Sequence, residues 1–160
     1  MSRRIVRLGE TDTDRTIKMF ELMSEVFEEP AAALDRDYVD ALLANPSFWA
    51  YAVLVDDAVL GGLTAHVLPM TRSMDNELMI YDFAVDSEHQ RTGLGRQLMQ
   101  AVIDDAASAG IATVFVPAEA ADPHALEFYK SQGGVRMECV IFSFETIGAV
   151  SEAVAPTLRE

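Results

Sequence analysis

"AVDSEHQRTGLGRQLMQAV", residues 84–102, carries an apolar run into an amphipathic helix pattern through a turn holding two glycines. Gly93 and Gly95 sit in that turn, with Arg91 and Arg96 beside them. Glycine lets a backbone turn tightly and approach a ligand closely. The first N–H groups of a helix have no internal partners and lie at the positive end of its dipole, so they suit an anion. Arg91 to Arg96 is therefore read as a cradle for a diphosphate. Two stricter glycine motifs are excluded. The dinucleotide fingerprint needs a third glycine where Leu98 stands, and the phosphate loop of nucleotide hydrolases needs a lysine that is missing here. On this stretch alone, an ordinary helix start with glycines for chain geometry remains open.

Working outward, "ELMIYDFAV" (77–85) reads as the strand that feeds the turn, and the helix after it runs to Ala109 with Gly110 as its stop. "FWAYAVLV" (48–55) and "AVLGGLTAHVLP" (58–69) read as two earlier strands of an antiparallel meander, joined at Asp56-Asp57, with a bulge at Gly61-Gly62. Residues 3–8 read as a first strand. Ile17 to Phe27 reads as a helix capped by Thr11 or Thr13, and Asp35 to Ala44 as a second helix. After the glycine turn come a strand at 111–117, a short helix opened by Asp122 and Pro123, and a last strand at 135–145. A helix between strands 77–85 and 111–117 lets them lie parallel by a right-handed crossover. The fold class is α/β, a mixed, mostly antiparallel sheet with helices on both faces. It forms one domain over residues 1–146, followed by a tail at 147–160.

Composition narrows the function. The chain has 160 residues, half of them hydrophobic, and a net charge of −14. Such a surface repels nucleic-acid phosphates and attracts polycationic ligands, although solubility alone also accounts for it. None of the twelve basic residues lies between Gln97 and Tyr129, so a phosphate-bearing ligand has to be held near Arg91 and Arg96. No apolar run approaches the roughly 20 residues of a membrane span. The N-terminus turns acidic before any apolar stretch, so no signal peptide is expected. The single cysteine, Cys139, fits a reducing cytoplasm and is read as a packing residue on its strand. Trp49 is read as core or interface. His66, His89 and His124 share no spacing that suggests a metal.

The stretch "YDFAVDSEHQRTGLGRQLM" resembles the acetyl-CoA motif of the GNAT N-acetyltransferases, with Gln90, Gly93 and Gly95 on its marked positions. "ALEFYKSQGG" is similar to that superfamily's late helix, with Ala125, Tyr129 and Gly133 matching. Within the superfamily, "HVLPM", "ELMIYDFAVDSEHQRTGLGRQLM" and "ADPHALEFYKSQGG" look like the aminoglycoside 3-N-acetyltransferases of the gentamicin-resistance type, a likeness covering about residues 48–135. The segment 24–40 is shorter than in those enzymes.

The resemblance implies direct transfer from acetyl-CoA to an amine of a small polycationic substrate in a ternary complex, with no metal. It also implies a central splayed pair of parallel strands, and it allows a homodimer. Phe83, Ala84 and Val85 are then expected to offer backbone groups to acetyl-CoA, together with Gln90, Arg91, Thr92, Gly93, Leu94, Gly95 and Arg96. Tyr129 matches the tyrosine whose hydroxyl assists the departing thiolate. Asp82 interrupts an apolar strand, and a charge is costly to bury there unless it meets a partner. It is expected to meet the substrate ammonium. Glu119 follows strand 111–117 and is expected to accept the proton or bind the amine. Glu28, Glu29 and Asp122 complete the expected acceptor side. A polyamine or a protein amine as acceptor, and a non-catalytic acyl-CoA sensor, are the competing readings.

Overall fold

Short connections and β-rich runs lay the sheet down in chain order. The computed structural model describes residues 1–147. Strands β1 (Arg3–Arg7), β2 (Phe48–Val55), β3 (Ala58–Pro69), β4 (Asn76–Val85) and β5 (Thr113–Phe115) form one sheet in that order. The β1–β4 pairings are antiparallel, and β5 runs parallel to β4. Asp56 and Asp57 make the two-residue β2–β3 turn with φ of 47° and 67°, the left-handed values that match the twist of a tight hairpin.

Helices α1 (Thr13–Val26) and α2 (Arg36–Ala44) cover one face of the sheet. Met19, Met23, Val39 and Leu43 pack there on Ala50, Ala52, Leu54 and Ala84. Helices α3 (Leu94–Ser108) and α4 (Pro123–Ser131) belong to the other face, where Leu98, Val102 and Tyr129 join Tyr51, Leu63, Ile80 and Phe83. Trp49 is in this second core, and the Arg7 guanidinium lies 4.1 Å from its ring centre.

Several sequence expectations need correction. The cap position of α1 is Asp12, not Thr11 or Thr13, and its carboxylate accepts from the Gly9 N–H at 3.0 Å. Thr13 is instead buried in the first turn, its hydroxyl bonded to Asp40. The irregular pairing in β3 falls between Val53↔Gly61 and Leu54↔Val59, so Leu60 is the extra residue. Gly61 and Gly62 answer a packing need. A Cβ on Gly62 would stand 2.1 Å from the Met19 sulfur, and one on Gly61 would stand 2.8 Å from the Ala84 carbonyl. Strand 111–117 is regular only over Thr113–Phe115. The last strand expected at 135–145 is not formed. That run is exposed and irregular and forms no ladder among the described residues, and Cys139 is exposed rather than packed.

Gly62 gives a direct test of the α1–sheet packing. Met19 is fully buried, so Gly62→Ala must displace it within a filled core. The expected loss is about 1–3 kcal/mol in urea unfolding. Gly9→Ala, whose Cβ would meet nothing within 4 Å, should change stability by less than about 0.5 kcal/mol.

Candidate active site

The site begins where β4 and β5 part. β5 pairs only with Glu77, Leu78 and Met79, so the β4 edge from Ile80 to Val85 has no β5 partner. This is the splay, and it leaves the backbone of Phe83, Ala84 and Val85 beside a gap between the strands. A single 3-10 turn (Ser87–His89) then leads into the glycine turn. Gln90 ties that turn back to the strand, its side-chain amide donating to the Val85 carbonyl at 3.2 Å. The Thr92 hydroxyl donates to the His89 carbonyl at 2.6 Å, and Arg3 donates to the Thr92 carbonyl at 3.1 Å.

The two glycines do different work. Gly93 has φ of 91°, a left-handed value that an L side chain resists, and a Cβ on it would meet nothing within 4 Å. Gly95 has no such backbone demand. Its Cβ would meet the Phe83 ring at 3.4 Å and the Phe128 ring at 3.5 Å, which is ordinary contact. The fold needs glycine at 93 for conformation. At 95 a side chain would begin against those two rings, where the start of α3 meets β4 and α4. Gln97 is the first α3 amide to bond within the turn, to the Gly93 carbonyl at 3.1 Å. The amides of Leu94, Gly95 and Arg96 therefore precede any intrahelical acceptor. Arg91 (φ 59°) and Arg96 are exposed on either side of Gly93. Phe83, Phe128 and Tyr129 close the inner end, with Phe83–Phe128 and Phe128–Tyr129 ring centres 5.5 and 5.3 Å apart.

On the opposite face of β4 lies a cavity. The register shifts between Thr64↔Asp82 and Ala65↔Ile80, so Tyr81 is an extra residue. Ile80 and Phe83 both enter the core under α3 and α4. The two residues between them are turned toward the α1 face, because a bulge re-aims side chains. Tyr81 meets the His66 ring there at 5.6 Å, edge to face. Asp82 closes a cleft of about 150 Å³ lined by Phe20, Met23, Ser24, Phe27 and Glu29. The Asp82 amide donates to the Thr64 hydroxyl at 3.2 Å. Burial, and then the repulsion of Glu29, push its carboxyl up to about 6. Burial also lowers His66.

A model of the acetyltransferase (GNAT) family matches residues 16–133. The chain belongs to that family. Among curated relatives, the [ribosomal protein bS18]-alanine N-acetyltransferase of Escherichia coli K12 is 34% identical over 64 residues. That match takes in 40% of this chain and 43% of the relative, so the chain spans less than half of that protein's length. Among solved structures, the aminoglycoside acetyltransferase meta-AAC0020 from an uncultured soil metagenomic sample, in complex with sisomicin, is 32% identical with a TM-score of 0.86. It covers 91% of this chain and 96% of its own. The aminoglycoside acetyltransferase HMB0005, from a similar source, is 27% identical with a TM-score of 0.87, covering 92% of this chain and 100% of its own.

In this GNAT chain β4 brings together residues that lie apart in sequence. Phe83–Val85, Gln90, Gly93, Gly95 and Tyr129 gather around the splay. Asp82 and Glu29 share the cleft behind it. Glu28 is exposed at the end of α1 with φ of 57°. Glu119 is exposed on the loop after β5, and its carbonyl accepts from the Asp122 amide at 3.0 Å. Asp122 caps α4, one carboxylate oxygen accepting from the His124 and Ala125 amides. Sequence reasoning missed that Phe20, Met23 and Phe27 line the cleft. Their helical spacing marked them as core, and the same stripe serves both purposes. Among the described residues no group of three or more His, Cys, Asp or Glu is placed to hold a metal, and no helix is long and apolar enough to cross a membrane.

The raised Asp82 gives a pH signature. Its folded carboxyl holds a proton to higher pH than the unfolded chain does, so stability falls as pH rises from about 4 to about 6. Above that range the ionised group is a cost. Asp82→Asn should therefore raise stability at pH 7.5 by roughly 1–3 kcal/mol, and the gain should vanish near pH 4. Urea unfolding of both proteins at the two pH values measures it.

Proposed function

We propose that the chain is an acetyl-CoA-dependent N-acetyltransferase acting on an aminoglycoside, at the 3-amino group as the sequence resemblance implies. The observation that carries the acceptor side is Asp82, a partly buried carboxylate facing the Glu29 carboxylate instead of a cation. A group held at a cost to folding is the mark of a binding site, and an ammonium would relieve the repulsion. The relatives solved as aminoglycoside acetyltransferases support this class of acceptor. The acidic balance of the chain suits a polycation.

Acetyl-CoA supplies an acyl group already activated as a thioester. The first-turn amides of α3, with Arg91 and Arg96, would hold its diphosphate, and Gly95 leaves the approach open. The backbone of Phe83–Val85 along the unpaired β4 edge would hold the arm and polarise the thioester carbonyl. Asp82 and Glu29 would seat the amine from the other face. Glu119 would accept its proton, through water where direct reach is lacking, and Tyr129 would donate to the departing thiolate.

The test is thiol release from acetyl-CoA against gentamicin, a polyamine and a peptide with an N-terminal alanine, with product NMR to locate the acetyl group. Gentamicin acetylated at the 3-amine is the expected result. Turnover of the peptide or polyamine alone overturns the acceptor assignment, and no turnover favours an acyl-CoA sensor. Asp82→Asn should lower kcat/KM for gentamicin roughly 10- to 150-fold, the value of one charge-assisted contact. In wild type kcat/KM should fall below about pH 6 as Asp82 takes its proton.

A further inference from the structure

The glycine turn is held from a strand far from the motif that contains it. Ties to its own neighbourhood fix its entry. Gln90 reaches the Val85 carbonyl, the Thr92 hydroxyl reaches the His89 carbonyl, and His89 Nδ1 lies 2.5 Å from an Asp86 carboxylate oxygen. Its exit is the peptide between Thr92 and Gly93, where the chain turns into α3 with φ of 91° at the glycine. That peptide is gripped from β1, 89 residues earlier. The Arg3 guanidinium donates to the Thr92 carbonyl at 3.1 Å.

The fold places Arg3 for this contact. Side chains alternate along a strand, so Arg3 shares a face with Ile5, which packs against the core beneath α3 and α4. Its backbone is pinned at the β2–β3 hairpin. The Ser2 amide donates to the Asp56 carboxylate at 2.9 Å, the Asp56 amide donates to the Ser2 carbonyl at 3.0 Å, and Arg3 stands opposite Val55. By the same alternation Arg4 lies on the other face of β1, ion-paired with Asp57.

The consequence lies in the peptide group. It is planar and trans, so its N–H points away from its C=O. Holding the Thr92 carbonyl toward Arg3 turns the Gly93 N–H the other way. A carbonyl that accepts from a cation also polarises its own peptide, which makes that N–H a stronger donor. Glycine has the widest backbone freedom, so a hold from outside matters most at a peptide that enters one.

We infer that Arg3 is a positioning residue for coenzyme A. It acts through the Thr92–Gly93 peptide, setting the Gly93 N–H beside the amides of Leu94, Gly95 and Arg96 as a further donor to the diphosphate. The inference rests on the cradle reading proposed above and is independent of the acceptor.

Calorimetry with coenzyme A on Arg3→Ala, Arg3→Lys and Arg4→Ala tests it. Arg3→Ala should weaken binding roughly 3- to 10-fold, the worth of one hydrogen bond open to water. Its melting temperature should change by no more than about 2 °C, since the side chain is exposed. Arg3→Lys keeps the charge and a donor and should restore affinity to within about 2-fold of wild type. In the free protein the Gly93 amide resonance should move in Arg3→Ala and return toward its place in Arg3→Lys. Arg4→Ala deletes an equal charge one residue away and should leave affinity within about 2-fold. Equal weakening in Arg4→Ala makes Arg3 no more than a distant charge and overturns the inference. Wild-type affinity in a folded Arg3→Ala protein also overturns it. If Gly95→Glu still weakens binding in that case, the cradle stands and Arg3 alone falls. If Gly95→Glu binds normally too, both fall.

Discussion

Tyr129→Phe is expected to lower turnover roughly 10²–10⁴-fold with little change in KM for acetyl-CoA, the loss that follows removal of a general acid. Tyr129 is 9% exposed and packs its ring 5.3 Å from Phe128 and 6.5 Å from Phe83. Phenylalanine keeps those ring contacts and removes one oxygen. The ring wall beside Gly95 is therefore preserved, and with it the surface on which the cofactor arm would rest. A free thiol has a pKa of roughly 8.5, so a leaving thiolate is a moderately good leaving group without help. The hydroxyl matters most where burial keeps water from replacing it. Single-turnover kinetics with gentamicin separates the chemical step from product release, and melting temperature checks the fold. An unchanged chemical rate removes Tyr129 from the mechanism. An equal loss in acetyl-CoA binding makes it a structural wall and no more.

The glycine turn, the meander and the cap of α4 were legible because each is written in local chemistry. Asp122 caps α4 just before Pro123, whereas the cap of α1 was not readable, Asp12 taking the place expected of Thr11 or Thr13. Period-two runs gave β2, β3 and β4 with their ends. Two classes of feature were hidden. The first is the bulge at Tyr81, which leaves no residue signature yet turns Asp82 into the cleft. Asp82 stood out as a charge in an apolar strand, but its partner proved to be a carboxylate, and only the fold of α1 over β4 brings Glu29 there. The second is residues 135–145. Their alternation is a genuine strand pattern, but a strand also needs a ladder, and among the described residues they form none. Glu119 lies between these cases. Its place after β5 was readable, and the structure sets it on an exposed loop. The residues assigned to the tail from 148 onward lie outside the described residues.

Gly95→Glu is expected to weaken acetyl-CoA binding more than about 100-fold while leaving the fold intact, and the two effects have opposite electrostatic signs. For the fold, a carboxylate in the first turn of α3 is favourable by about 0.3–1 kcal/mol, since it faces the positive end of the helix dipole. A Cβ on Gly95 would make ordinary contact with two ring edges at 3.4–3.5 Å, and no left-handed backbone forbids a side chain there. For a diphosphate the same carboxylate is a like charge in the space where the anion must come closest, and it competes for the same amides. Gly93→Ala is the complementary variant. It should cost roughly 1 kcal/mol of stability through its φ of 91° and weaken binding only as far as the turn distorts. Calorimetry with coenzyme A on all three proteins, beside their urea midpoints, reads both axes. Raising salt should weaken wild-type binding, because Arg91 and Arg96 are exposed and screened. A Gly95→Glu protein that is folded and binds coenzyme A with wild-type affinity places the diphosphate elsewhere. The glycines of 93–95 would then serve only the path of the chain into α3.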